Sequence, residues 1–301
     1  MKNLLNIKAP HTEPLRDKRL KSLKIVLNVA RLDAVHPFIS GNKYYKLTLF
    51  LNAAIKFNAS RVISFGGAYS NHLHALACVA KKLGIKSEAM IRGEEPKKLS
   101  PTLTDCKENG MTLRFLSREE YRIQNNLALQ HKLKIQDAII IPEGGFGVEG
   151  MMGAEQIYDD LNGSRYSHII GACGTGTTLA GILNKANNNQ EITGVSVLKG
   201  HHNLKEDILA LSKNSELKKL NLLQDYHFGG YAKYGEQLIT FMNNWYSRFH
   251  IPSDFVYTGK LFFALDDLLE KGYFPAGSEI LCIHSGGLQG NRSLKPGTLI
   301  F

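Results

Sequence analysis

The chain has 301 residues, of which 43% are hydrophobic and 21% charged, the makeup of a globular protein with room for one large or two modest domains. No stretch approaches the roughly 20 apolar residues of a membrane span, and the basic start Met1-Lys2-Asn3 lacks the apolar run and cleavage site of a signal peptide. The formal charge of +10 is spread along the sequence apart from Arg16, Lys18, Arg19, Lys21 and Lys24. With no nucleic-acid motif beside it, that charge points to small anionic ligands instead.

Cys78, Cys106, Cys173 and Cys282 are scattered, fit no metal or disulfide spacing, and read as reduced thiols of a cytoplasmic protein.

In chain order, residues 21–31 predict a buried strand, rich in Ile, Val and Leu. After His36-Pro37 comes Ser40-Gly41-Asn42-Lys43, then helical spacing through Leu47, Phe50, Leu51 and Ala54. Residues 61–65 form a strand that runs into Gly66-Gly67-Ala68-Tyr69, with Ser70 as N-cap of a helix closed by Gly84. Strands follow at 87–92, 112–116 and 138–142, with a helix at 101–109 and another at 151–161. A second strand–glycine–helix unit runs from His168 through Gly174-Thr175-Gly176-Thr177-Thr178. A strand is expected at 194–198, helices over 205–223, 235–248 and 260–271, and a last strand at 280–284 before Gly286-Gly287. Asn187-Asn188-Asn189 reads as a surface turn. Strands alternating with helices predict an open, mostly parallel α/β sheet, and no linker marks a linear domain boundary.

Two segments can carry chemistry. At Gly171–Gly181 a strand enters a glycine- and threonine-rich turn that opens a helix, which aims free amides and the positive helix end at an anion. The spacing matches neither a nucleoside-triphosphate loop nor the full dinucleotide fingerprint, so a phosphate monoester is the better guest; a plain tight turn is the alternative. Ser70-Asn71-His72 opens the other helix and suits a carboxylate, or else simply caps that helix. His72 and His74 face different ways on a helix, His201-His202 has no partners, and no metal site is expected. Lys43 alone reads as a solvated lysine. To attack an aldehyde it must be deprotonated and held beside an anion-binding turn. Tyr231 and Tyr257, each near glycines, are either site residues or packed rings.

Taken together, six collinear segments resemble the 1-aminocyclopropane-1-carboxylate deaminase / D-cysteine desulfhydrase family. They are Gly41-Asn42-Lys43 with Lys46-Leu47, Gly66-Gly67-Ala68-Tyr69-Ser70-Asn71-His72, Pro142-Glu143-Gly144-Gly145, Gly174–Gly181, Val256-Tyr257-Thr258-Gly259-Lys260 and Ile283-His284-Ser285-Gly286-Gly287. The resemblance covers nearly the whole chain from about residue 15. It implies a tryptophan-synthase-β-like fold (fold type II) with two open twisted, mostly parallel sheets and flanking helices. The larger domain would comprise 1–45 plus 154–301, and a smaller α/β domain would be inserted at 46–153. The implied cofactor is pyridoxal 5′-phosphate, with Lys43 as its Schiff-base lysine beside Asn42, and Asn71 on the ring hydroxyl. Gly174, Thr175, Gly176, Thr177 and Thr178 would cradle the phosphate. Ser70, Asn71 and His72 would hold the substrate carboxylate, with Tyr231 and Tyr257 flanking the substrate; Tyr234 competes with Tyr231, because the segment 229–234 departs from the family pattern.

Two positions separate the branches. Ring-opening deaminases of the family carry glutamate where Thr258 stands and leucine where Ser285 stands. A threonine hydroxyl gives the pyridine nitrogen only a neutral hydrogen bond and so a weaker electron sink. Such a sink permits β-elimination but serves cyclopropane opening poorly. The resemblance therefore implies a D-cysteine desulfhydrase-like enzyme: Lys43 takes the Cα proton, a β-substituent leaves, and pyruvate and ammonia result. The alternatives are 1-aminocyclopropane-1-carboxylate deamination and a non-catalytic protein that keeps the anion pocket. The family also implies a homodimer.

Overall fold

The computed structural model describes residues 5–212 and 219–301. Two sheets organise it. The larger has six strands in the order β1-β2-β10-β7-β8-β9: Thr12–Pro14, Val26–Arg31, Glu279–His284, His168–Cys173, Glu191–Ser196 and Lys219–Leu223. All neighbours are parallel except the short edge strand β1 on β2. The smaller sheet is wholly parallel, in the order β5-β4-β3-β6: Met111–Leu116, Lys86–Arg92, Arg61–Gly66 and Ala138–Ile141. Parallel strands need helical crossovers, which cover both faces and explain why these strands are apolar runs instead of alternating patterns.

The crossovers are α2 (Asn42–Lys56), α3 (Asn71–Leu83), α4 (Pro101–Glu108), α5 (Arg118–Leu129), α6 (Val148–Asp160), α7 (Thr177–Lys185), α8 (Leu204–Leu211), α9 (Glu236–Phe249) and α10 (Thr258–Glu270). One core joins the two sheets: Tyr45, Leu47 and Leu51 of α2, Leu76 of α3, Ile157 of α6 and Leu179 of α7 pack with Val62 and Ile141 on one side and Ile169 and Leu281 on the other. α2 and α6 approach so closely that a Cβ on Gly153 would lie 2.1 Å from the Tyr45 carbonyl oxygen. The far face of the larger sheet carries a second core, where Trp245 stacks on Phe262 with ring centroids 4.6 Å apart. Such a pair adds about 0.5–1.5 kcal/mol to its area burial.

The structure departs from the sequence expectations chiefly in three places, besides β8, which runs Glu191–Ser196 instead of 194–198. The strand expected over 21–31 starts only at Val26, because α1 (Lys18–Leu23) precedes it. The Asp17 side chain caps α1 by accepting from the Arg19 amide, and Lys24 ends it in the left-handed conformation. The helix expected over 205–223 stops at Leu211, and Lys219–Leu223 is a strand paired to β8; residues 213–218 lie outside the described residues. Lysines and leucines spaced for a helix yield there to the sheet edge that β8 offers. Helix α5 had no expectation. It is mostly polar, with only Tyr121 and Ala128 buried, and a Ser117–Glu120 capping box starts it. No described helix is long and apolar enough to cross a membrane, and no three His, Cys, Asp or Glu side chains cluster for a metal among the described residues.

Candidate active site

Strand β2 ends at Arg31, and the chain crosses to the start of α2 over the C-terminal edge of β10. Gly41 makes that crossing possible. Its φ is +71°, and a Cβ there would sit 1.9 Å from the Ser285 carbonyl oxygen, which accepts the Asn42 amide at 3.2 Å. Only glycine fits both demands. The first turn of α2 therefore projects Lys43 over the carboxyl ends of the large-sheet strands, where open α/β sheets place their ligands.

Lys43 Nζ donates to Asn42 Oδ1 at 2.8 Å, and Asn42 Nδ2 donates to Thr178 Oγ1 at 2.9 Å. The lysine is thus tied through one amide to the first turn of α7. Its amine lies 5.8 Å from the centroid of the Tyr257 ring. Burial draws its pKa down to about 8, against a partial restoring pull from Asp254. A lysine so placed is about half free amine near pH 8, where an ordinary lysine is almost wholly protonated, and nucleophilic attack on a carbonyl requires the free amine.

One turn further along the same helix face stands Lys46, whose role the sequence did not disclose. It is 3% exposed, and its Nζ has one long hydrogen bond, 3.4 Å to Thr175 Oγ1. No carboxylate pairs with it among the described residues, and burial, with Lys43 close by, pushes its pKa well down. A buried amine aimed at a threonine turn and lacking a counter-charge marks where an anion belongs. The turn supplies the rest. Thr175 and Thr177 hydroxyls lie 3.1 Å apart, and α7 starts at Gly176 with no side-chain cap, so its first amides remain available. The i, i+3 spacing of Lys43 and Lys46 was the available signal, since it puts both on one face.

The other glycine turn is built differently. Ser70 caps α3 by accepting from the Leu73 amide at 3.2 Å. Asn71 reaches the cleft with Lys43, Tyr257, Ser285 and Gly287. His72 does not. It is 2% exposed, and Ser64, which donates to the Ile141 carbonyl at 2.8 Å, receives the Nε2 proton of His72 at 2.8 Å. Burial and the two lysines hold the imidazole well below its usual pKa, hence neutral. His74, set aside by sequence reasoning, lines the cleft and hydrogen-bonds Asp105 at 3.1 Å.

Tyr231 and Tyr257 meet edge to face at 6.0 Å, and their hydroxyls interact; Tyr234 turns instead onto Phe255 at 5.0 Å. Burial, then Tyr231, raises Tyr257 well above the ordinary phenol pKa, which keeps it protonated. The Tyr231 loop is pinned by the fully buried Lys260, which donates to the carbonyls of His227 and Gly230, both at 2.8 Å. Thr258 is fully buried at the head of α10, where its hydroxyl donates to Asp254 Oδ1 at 2.7 Å and accepts the Asp254 amide at 2.8 Å. Asp254 also accepts from the amides of Val256, Tyr257 and Thr258, each at 2.9 Å. The aspartate four residues ahead of a helix start was the sequence sign of this cap.

A free amine tied through Asn42 to the first turn of α7, a buried lysine aimed at that turn and an uncapped helix end suit a ligand that carries an aldehyde at one end and a phosphate at the other. Pyridoxal 5′-phosphate is such a molecule, and the residues present fit it. Comparison with known proteins agrees. The family model described as "Pyridoxal-phosphate dependent enzyme" matches residues 18–286. A Pyrococcus abyssi protein provisionally named 1-aminocyclopropane-1-carboxylate deaminase is 31% identical over 290 residues, which cover 90% of this chain and 87% of that protein. The 1-aminocyclopropane-1-carboxylate deaminase of Rhizobium rhizogenes is 24% identical, with 82% of each chain covered. The crystal structure of an ACC deaminase homologue superposes with a TM-score of 0.75 at 28% identity, covering 96% of this chain and 95% of that one. An O-acetylserine dependent cystathionine beta-synthase from Helicobacter pylori shares the fold at 15% identity, with a TM-score of 0.68 and 98% and 97% covered. The lysine that opens α2 thus belongs to a member of the pyridoxal-phosphate dependent enzymes, akin to the 1-aminocyclopropane-1-carboxylate deaminases.

Proposed function

We infer that this enzyme eliminates the β-substituent of a small amino acid in the manner of a D-cysteine desulfhydrase, with D-cysteine and water giving pyruvate, ammonia and sulfide. The observation that carries this reading is Thr258. A neutral hydroxyl, its proton given to Asp254, stands at the position where ring-opening relatives place a carboxylate. Being neutral, it does not hold a ring nitrogen protonated as a carboxylate would, and the Asp254 charge behind it is already shared among three amides. Pyridoxal phosphate, when bound, supplies an aldehyde for the substrate amine and a conjugated ring for the electrons released at Cα. A modest sink suffices where thiolate departs with those electrons.

The remaining steps fall to the chain. Lys46 and the amides that open α7, with Gly174, Thr175, Gly176, Thr177 and Thr178, hold the phosphate. Lys43 would hold the aldehyde and serve as the general base for the Cα proton, steered by Asn42. Asn71 meets the ring oxygen. Ser70, Asn71 and the His72 amide in the first turn of α3 receive the substrate carboxylate; the His72 imidazole, held by Ser64, stays out of the contact. The protonated Tyr257, beside Tyr231, offers a hydrogen bond to the departing thiolate. The smaller sheet and its helices, residues 46–153, form the inserted domain of this reading, which also takes the enzyme as a cytoplasmic homodimer. Four buried free cysteines are consistent with a reducing compartment.

One assay separates the branches. Purified holoenzyme is offered D-cysteine and 1-aminocyclopropane-1-carboxylate in parallel, and sulfide, pyruvate and 2-oxobutanoate are measured. Sulfide with pyruvate is expected. Formation of 2-oxobutanoate alone would overturn the assignment in favour of ring opening, and no product from either would leave the anion-binding protein as the better reading.

A further inference from the structure

The cleft holds one amide whose orientation is set from outside it. Asn71 Oδ1 accepts a hydrogen bond from Gln289 Nε2, and Gln289 Oε1 accepts one from Thr102 Oγ1 at 2.7 Å. Thr102 is fully buried in the first turn of α4, on the smaller sheet's side. Gln289 belongs to the 3-10 segment Leu288–Ser293, which leaves β10 on the larger sheet's side. Asn71 opens α3, again on the smaller side. The three residues form a line that crosses twice between the two halves of the molecule, and Gln289 is its middle member.

An asparagine amide presents either two hydrogens or a carbonyl, and a half-turn about its last bond exchanges them. With Oδ1 engaged by Gln289, the NH2 of Asn71 is the end turned inward. It lies over Gly287, where a Cβ would come within 3.1 Å of Nδ2. Gly287, Asn71, Lys43 and Gln289 line the same cleft.

We propose that Gln289 is a positioning residue: by accepting from Thr102 and donating to Asn71 it fixes the Asn71 amide as a hydrogen-bond donor toward the cofactor's ring oxygen. The inference rests on the reading that Asn71 faces that ring. A donor there favours the anionic form of the oxygen, so the relay sets the pH at which the bound cofactor changes protonation and colour. Thr102 matters through direction alone, since it hands its hydrogen to Gln289 and leaves the glutamine NH2 for Asn71.

The test uses the holoenzyme and its absorbance as a function of pH, with cofactor affinity measured by equilibrium dialysis. Gln289→Glu keeps size and still accepts from Thr102 but has no hydrogen to give, so it turns the Asn71 carbonyl inward. Gln289→Ala merely frees the amide. The expected result is a shifted absorbance titration and cofactor affinity weakened about three- to tenfold in Gln289→Glu, with a smaller change in Gln289→Ala and in Thr102→Val. A residue that only held the two halves together would rank the variants the other way, with alanine the worse. Adding Gln289→Glu to Asn71→Ala should cost nothing further, as coupling through Asn71 requires. If Asn71→Ala shifts the titration while both Gln289 variants titrate like the parent, the positioning role is overturned. If Asn71→Ala itself leaves the titration unmoved, the reading beneath it fails, and the relay with it.

Discussion

The two strand–glycine–helix units of this chain are alike in sequence and unlike in what they leave unsatisfied. After β3 the turn ends in Ser70, whose hydroxyl closes on the Leu73 amide, so α3 meets part of its own need for an acceptor. After β7 the turn ends in Gly176, which has no side chain to offer, and a buried lysine without a counter-ion points at it. Both helices present positive ends. Only the second is built so that the protein alone cannot neutralise it, and an unmet demand is better evidence of a tightly held anion than glycine content. The first turn suits a ligand that comes and goes, as a substrate carboxylate does.

Four experiments can break or sharpen this contrast. The largest effect belongs to Lys43, which serves ligands at both turns. Lys43→Ala should lower turnover by about 10⁴-fold or more, measured as pyruvate release under saturating cofactor, and should remove cofactor retained through denaturation after borohydride reduction. Next comes Lys46→Met, where loss of one partner of a buried charge pair should weaken cofactor binding roughly 100-fold. The same substitution should stabilise the cofactor-free protein, since a desolvated amine is gone; dialysis and thermal melts read the two opposite signs. If both fall together, Lys46 is structural and the contrast collapses.

The third is a pH effect. Lys43 titrates at about 8 in the folded protein against 10.5 for an ordinary lysine. Cofactor capture by the cofactor-free protein should therefore accelerate as pH rises through about 8. Between those two values the unfolded chain holds the proton that the folded one has lost, so stability should climb with pH over that window. Urea melts of Lys43→Met should lack that part of the climb. The smallest effect is Ser70→Ala, which should cost about 1 kcal/mol of stability as a lost cap and leave cofactor affinity within about twofold, as paired thermal and dialysis measurements would show.

The parts of this molecule that were legible in its sequence are those in which local chemistry and tertiary structure agree. The run Arg61–Phe65, the cap at Ser70 and the stop at Gly84 each announce themselves locally, and β3 and α3 lie there. Lysine 219 and its neighbours do not, because a strand completed at a sheet edge is chosen by its partner β8 and not by its own periodicity. Helix α5 is hidden because it buries only Tyr121 and Ala128 and so has no regular apolar face, and only the capping box betrays it. In the site, Lys43 could be found from its company of motifs. Lys46 and Asp254 left only faint local signs, an i, i+3 spacing and an aspartate ahead of α10, and Gln289 left none, since what makes each notable is burial or a partner more than a hundred residues away: Lys46 with Thr175, Gln289 with Asn71.

The seat of Gly41 against Ser285 has a further consequence, for the order of events as the chain is made. The strand leading to the lysine, β2, lies between β1 and β10, and β10 together with the loop after it lies far along the chain from Gly41. Asn42 has no carbonyl to donate to until Ser285 has emerged. A growing chain that still lacks Ser285 has no such seat for the turn that carries Lys43. Loading of the cofactor therefore waits until Ser285 is in place, and a truncation that spares every residue of the cleft up to Tyr257 still leaves it without a floor.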